Sequence, residues 1–156
     1  MVRLPPFQVL LDEHAADVHR FLVASVGPHD GADCFQETVV SALRAYPGLR
    51  SAENLRGWLF TIAHRKVIDL ARRGARHALP VAEPPEIVYR DPDGAGDDEL
   101  WAAVRQLPPK QRSAVVQRYL LDRPYDQIAG TLECSEAAAR QSVRAGLQRL
   151  RQEVTP

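Results

Sequence analysis

Between residues 135 and 151, Glu136, Arg140, Gln141, Arg144 and Gln148 recur on one side of a helical pattern, and Ala139, Val143, Leu147 and Leu150 recur on the other. Arginine pairs with guanine edges, glutamine with adenine edges, and either binds phosphate, so this side has the chemistry of a DNA reader. Ser135 is suited to cap the helix, and Glu136 suits its first turn. A shorter pattern, Ile128, Ala129 and Leu132, precedes it across the break Glu133-Cys134-Ser135, which is the layout of a helix-turn-helix. An antiparallel helical hairpin with solvated charges has the same pattern. Glu133 stands where such turns favour glycine, and Gly146 is a weak helix former that allows close packing.

A second basic row, Arg65, Arg72, Arg73 and Arg76, with Asp69 among them, lies near one face of another helical pattern. It suits a phosphate-binding edge or a solvated surface. Trp58 and Phe60 in the same segment suit base stacking or a core. No phosphate-cradling loop and no nucleophile–base arrangement stands in the chain, and the five histidines make no metal-ligand spacing. Catalysis and a bound cofactor or metal are therefore not expected. Cys34 and Cys134 read as two reduced thiols on helices.

The elements that position these residues are helical. Phe7, Leu10, Leu11, Ala15, Val18, Phe21, Leu22 and Val26 form a first stripe, stopped by Gly27-Pro28. A second helix, with Asp30 as a possible cap, carries Phe35, Val39, Ala42, Leu43 and Tyr46 and ends at Pro47-Gly48. A third starts near Ser51 to Asn54 and buries Leu55, Trp58, Leu59, Ile62, Ala63, Val67 and Leu70. Prolines, glycines and acid dominate residues 77–98, which read as a flexible linker with a brief apolar island at Ile87, Val88 and Tyr89. Helices resume near Asp98 with Leu100, Trp101, Val104 and Leu107. Pro109 opens the next, whose apolar side is Val115, Val116, Tyr119 and Leu120.

The expected fold is all-α: two small helical domains, residues 1–76 and 99–156, joined by the flexible acidic linker 77–98, which leaves open whether they pack together. Net charge is zero over the 156 residues, but its distribution is uneven. Residues 1–76 hold ten basic and eight acidic side chains, residues 77–99 one and seven, and residues 100–156 nine and five. No apolar run approaches the ~20 residues of a membrane span, and no signal peptide opens the chain, so a cytoplasmic location is expected.

Several segments resemble one family. DGADCFQET (30–38) and NLRGWLFTIAHRKVIDLARR (54–73) resemble region two of the extracytoplasmic-function (ECF) branch of bacterial RNA polymerase sigma factors. LPPKQR (107–112), YDQIA (125–129) and LECSE (132–136) resemble region four, in the same order along the chain. The resemblance implies a promoter-specificity factor with no catalytic activity. Its partners would be core RNA polymerase, promoter DNA and an anti-sigma factor. Asp33, Gln36, Glu37 and Thr38 would meet the polymerase clamp. Asn54, Arg56, Trp58, Arg65, Lys66, Arg72 and Arg73 would hold the minus-ten element. Ser135, Glu136, Arg140, Gln141 and Arg144 would meet the minus-thirty-five element. Ala137, Ala138 and Ala139 stand where the family often has a Gly-Thr-Val-like run, leaving fewer base-edge contacts. Two other readings keep part of this picture: a helix-turn-helix regulator with an N-terminal sensor, and a sigma-like decoy that titrates a regulator.

Overall fold

A computed structural model describes residues 2–76 and 98–154. Among these residues the regular structure is helical: α1 (Phe7–Val26), α2 (Pro28–Ala45), a 3₁₀ turn (Tyr46–Gly48), α3 (Leu55–Arg76), α4 (Asp98–Gln106), α5 (Pro109–Tyr119), α6 (Tyr125–Leu132) and α7 (Glu136–Val154). The linker reading of 77–98, with its apolar island, lies almost wholly outside the described residues.

Helices α1 to α3 form the N-terminal block. Gly27 joins α1 to α2 in a single residue, at a φ of 92° that side-chain-bearing residues rarely adopt. Its N–H donates to Val23 O at 2.8 Å, and its own carbonyl accepts from Gly31 N–H at 2.8 Å. Pro28 then occupies the first turn of α2, where its missing N–H leaves no bond unmade. The helix therefore starts two residues before Asp30, which lies in the first turn and is not the cap. Phe21 and Phe60 meet edge to face at 5.7 Å between centroids, with Leu10, Leu22, Leu59 and Val67 buried around them.

Helices α4 to α7 form the C-terminal block. Pro109 opens α5 as expected. Ala114, Ile128, Ala129, Leu132, Ala139 and Val143 make a compact core between α5, α6 and α7. Gly146 sits where α7 crosses α5: a Cβ there would lie 2.7 Å from Val115 Cγ2. Val115 is buried and stiff at χ1, so it cannot swing away. Gly146→Ala is therefore expected to lower stability by about 1 kcal/mol, because overpacking of about 1–3 kcal/mol outweighs the ~1 kcal/mol gained in helix propensity. Urea denaturation would read this directly, and a more stable variant would contradict it.

The two blocks pack together, a question the sequence leaves open. One continuous apolar core runs from Phe21, Leu22 and Phe60 into Val104, Leu107, Val116 and Leu150. Helix α3 packs on α6 and α5, and α1 packs on α4 and α5. The physical reason is that α1 and α3 carry apolar side chains on more than one face. A three-helix bundle alone leaves part of that surface in water, and the C-terminal block covers it. Three stripe residues are not core: Leu43 is 54 % exposed, Tyr119 62 % and Leu100 38 %.

Candidate nucleic-acid interface

The turn between α6 and α7 is built from backbone. Glu133 caps α6 in the left-handed conformation, φ 55° and ψ 46°, so the residue that looked out of place in the sequence does adopt the geometry glycine favours. Cys134 N–H reaches back to Ala129 O at 3.1 Å. Ser135 Oγ then accepts the N–H of Ala138 at 3.0 Å, capping α7. Its role is thus to fix where α7 starts.

On α7, Glu136, Arg140, Gln141, Arg144 and Gln148 are all exposed on the side away from Ala139, Val143 and Leu150. Arg140 pairs with Glu136 at 2.5 Å, and its guanidinium lies 4.6 Å from the centroid of the Tyr125 ring. Arg118 of α5 stands at the same distance from that ring. Tyr125 therefore gathers two cations beside the start of α7. The sequence reading missed it, although YDQIA contains it, because a tyrosine at a helix start reads as core.

In the N-terminal block, Asn54 is also at positive φ (55°), and its Oδ1 accepts the N–H of Gly57 at 3.1 Å, capping α3. Arg56 pairs with Asp17 at 3.2 Å and lies 5.4 Å from the Phe60 ring centroid. Trp58 is half-buried, 6.0 Å from Tyr46, and packs against the core. Arg65 pairs with Glu133 of the α6–α7 turn. Lys66 is half-buried, and Arg72 and Arg73 are exposed. Arg73 lies 3.7 Å from Glu37. These two, with Asp69 and Arg72, line an open cleft of about 430 Å³ between α2 and α3. Asn54, Arg56 and Trp58 thus share the first turn of α3, whereas Arg72 and Arg73 lie at its far end, so the seven residues do not converge on one point.

Asp33, Gln36 and Glu37 are exposed along α2. Thr38 is not: it is 1 % exposed, and its Oγ1 donates to Cys34 O at 2.7 Å. Its assignment as a polymerase contact is corrected, because the side chain faces the core and its hydrogen bond is spent inside the helix. The same exposed stripe instead continues through Val40 and Leu43. The spacing 33, 36, 37, 40, 43 follows one face of a helix, a signal present in the sequence but masked by the habit of placing every apolar residue inside. Both cysteines are free thiols, Cys34 buried and Cys134 half-buried. Burial first, and then the carboxylates of Glu37 and Asp30, push the Cys34 thiol above its ordinary value.

Two family models match in sequence order: sigma-70 region 2 over residues 10–77 and sigma-70 region 4 over residues 97–150. The chain is 30 % identical over 154 residues to the ECF RNA polymerase sigma factor SigL of Mycobacterium tuberculosis, covering 92 % of this chain and 86 % of that one. The chain belongs to the ECF branch of the sigma-70 family. It is also 30 % identical over 160 residues to the ECF sigma factor SigE of Mycolicibacterium smegmatis, spanning 95 % of this chain but 61 % of that longer relative. The fold is shared with solved structures, one of them a sigma factor. RpoE, in its complex with the anti-sigma factor NepR from Bartonella quintana, superposes with a TM-score of 0.74 at 20 % identity, over 96 % of this chain and 98 % of that one. CnrH, in complex with the cytosolic domain of CnrY, gives 0.71 at 19 % identity, over 94 % and 85 %. Among the described residues no helix is long and apolar enough to cross a membrane.

Proposed function

We infer that the protein is an RNA polymerase sigma factor, directing core polymerase to a set of promoters, with the chemistry of RNA synthesis left to the polymerase. The observation that carries this reading is the pair of sigma-70 regions in order along one chain, the second ending in a capped helix-turn-helix with an exposed Arg/Gln face. Residues 1–76 act as region two and residues 99–156 as region four, with 77–98 as the connection.

Region two meets the polymerase clamp through the exposed stripe Asp33, Gln36, Glu37, Val40 and Leu43. Acidic and amide groups suit a basic partner, and the two apolar residues supply desolvated contact at its end. Asn54, Arg56, Trp58, Arg65, Lys66, Arg72 and Arg73 serve the minus-ten element: the first three beside an unstacked base, the others along the backbone. Region four reads the minus-thirty-five element with Arg140, Gln141 and Arg144, while Ser135 and Glu136 hold the start of the reading helix. Polymerase and promoter place the site of action in the cytoplasm. One solved structure of the same fold is a complex with an anti-sigma factor and another a complex with the cytosolic domain of a second protein, which supports an anti-sigma partner for this chain.

Transcript mapping with core polymerase plus this protein tests the reading: new start sites at a subset of genomic promoters are expected, and their complete absence would contradict it. A sharper prediction concerns Arg144. It is exposed on α7, whereas Arg140 must first leave Glu136 and the Tyr125 ring. Arg144→Ala is expected to reduce the slope of log affinity against log salt by about 1 and to weaken protection of the upstream element. Footprinting at several salt concentrations reads both, and an unchanged slope would remove Arg144 from the DNA surface.

A further inference from the structure

The first turn of α7 offers DNA few polar groups. Ser135 Oγ is taken by the N–H of Ala138, and Ala137 and Ala138 are exposed with no polar side-chain atom. Base-edge readout from the start of the helix therefore falls on Glu136 and Arg140. These two are already engaged with each other, the guanidinium donating to the carboxylate at 2.5 Å. Arg144, one turn further on, has no ion pair among the described residues.

An exposed ion pair of this spacing is weak by itself. Here a second helix reinforces it. The centroid of the Tyr125 ring, at the start of α6, lies 4.6 Å from the Arg140 guanidinium. The ring is itself fixed. It is half-buried against the core that holds Ile128 and Ala139, and Arg118, which donates to the carbonyl of Arg123 at 3.2 Å, stands 4.6 Å from it. Arg140 thus has two holds in the free protein, and both must be replaced when it meets DNA. A phosphate serves one side only: it takes the guanidinium and leaves the Glu136 carboxylate unpaired beside a polyanion. Cytosine together with guanine serves both, because the cytosine amino group donates to a carboxylate while guanine O6 and N7 accept from arginine. Residues four apart on a helix stand about 6 Å apart along its axis, under two base-pair steps of about 3.4 Å each. Both side chains therefore reach one C·G pair or two adjoining pairs.

We propose that Glu136 is a specificity-determining residue: through its pair with Arg140 it withholds that arginine from DNA phosphates at large, and yields it where a cytosine amino group takes the carboxylate beside a guanine that takes the guanidinium. This rests on the reading of α7 as the helix that enters the major groove. Glu136 lowers affinity for DNA in general and raises the contrast between sites, which is discrimination by an unfavourable element set against the wrong partner. The upstream element that this protein selects then carries a cytosine where it faces Glu136.

The full chain, with and without core polymerase, is given a pool of randomised duplexes, and the bound sequences are read. Affinity for a duplex of random sequence is measured against salt. The parent is expected to enrich cytosine at one position of the upstream element. In Glu136→Gln, which keeps the shape and drops the charge, that preference is expected to fall about tenfold. Affinity of the same variant for random duplex should rise, and the slope of log affinity against log salt should steepen by about 1, because Arg140 becomes free to meet a phosphate. In an Arg140→Ala background, Glu136→Gln is expected to leave the slope as it was. Both side chains stand about half in water, so the variants should keep the parent's circular dichroism. Steepening of equal size without Arg140 would make Glu136 a repelling charge only. A parent that enriches no cytosine, or a Glu136→Gln protein that enriches it equally, would place the readout elsewhere. Each of these results overturns the proposal. Should core polymerase fail to bind while the chain alone still selects duplexes, the sigma reading falls and the same comparison decides the role of Glu136. No selected sequence under either condition would overturn both.

Discussion

Core polymerase is expected to bind the Val40→Asp/Leu43→Asp protein at least a hundredfold more weakly than the parent, with little change in thermal stability. Both side chains stand in water on α2, 46 % and 54 % exposed, so charging them removes almost no folding contact. They also continue the row of Asp33, Gln36 and Glu37, and so fall where that helix would meet a partner. Most binding energy at protein interfaces comes from a few residues shielded from water by polar neighbours, often at about 2 kcal/mol or more each. A carboxylate forced into such a place loses the apolar contact and adds an unpaired charge, and two of them together reach the hundredfold range. Glu37 is a less clean probe, because Arg73 lies 3.7 Å away and its removal would also free that arginine. Equilibrium titration of labelled protein with core polymerase measures the effect. Parent-like affinity would move the polymerase surface off this face of α2 and favour a regulator that needs no polymerase.

The sequence carried the helices well, and for identifiable reasons. Gly27-Pro28, Pro47-Gly48, Pro109 and Ser135 stop or start helices through local backbone chemistry, so they work without knowledge of the fold. The helix-turn-helix was legible because its apolar and basic positions alternate with helical period over one short stretch. What was not legible is the contact between the blocks. The excess apolar surface of α1 and α3 looks, in sequence, like that of any well-packed bundle, and no local pattern says whether a linker or a second block covers it. Arg123 shows the problem most sharply: in the string Leu121-Asp122-Arg123-Pro124 it reads as an exposed turn residue, yet it is among the most deeply buried side chains. Thr38 and Leu43 were misplaced by the same blindness. A polar residue on the inside and an apolar one on the outside of one helix become visible only once the neighbouring helices are set.

Acid should loosen this fold through one side chain, His64. It lies on the face of α3 against the C-terminal block, 4 % exposed, with Nδ1 lacking a hydrogen-bond partner among the described residues. Burial first, then the ammonium of Lys110 and the guanidinium groups of Arg65 and Arg112, disfavour its protonated form, while the carboxylate of Glu133 partly opposes them. Its pKa falls from 6.5 to about 4. In the unfolded chain an ordinary histidine titrates near 6.5. Between those values the unfolded chain takes up a proton that the folded chain refuses. Stability from this group is thus fully present above pH 6.5, drains as the pH falls toward 4, and changes no further below that. The whole loss is about 3 kcal/mol, which for a chain of this size lowers the melting temperature by roughly 10 °C. Carboxylates also titrate near the bottom of this range, so the measurement is a difference: melting temperatures of the parent and of His64→Leu at pH 7.5 and 4.5. Leucine has nearly the same bulk and no proton to bind, so the variant should lose much less on acidification while the carboxylates contribute equally to both. Equal losses in the two proteins would mean that His64 is hydrated or protonated in the fold, and that the seam between α3 and α5 is wetter than its packing indicates.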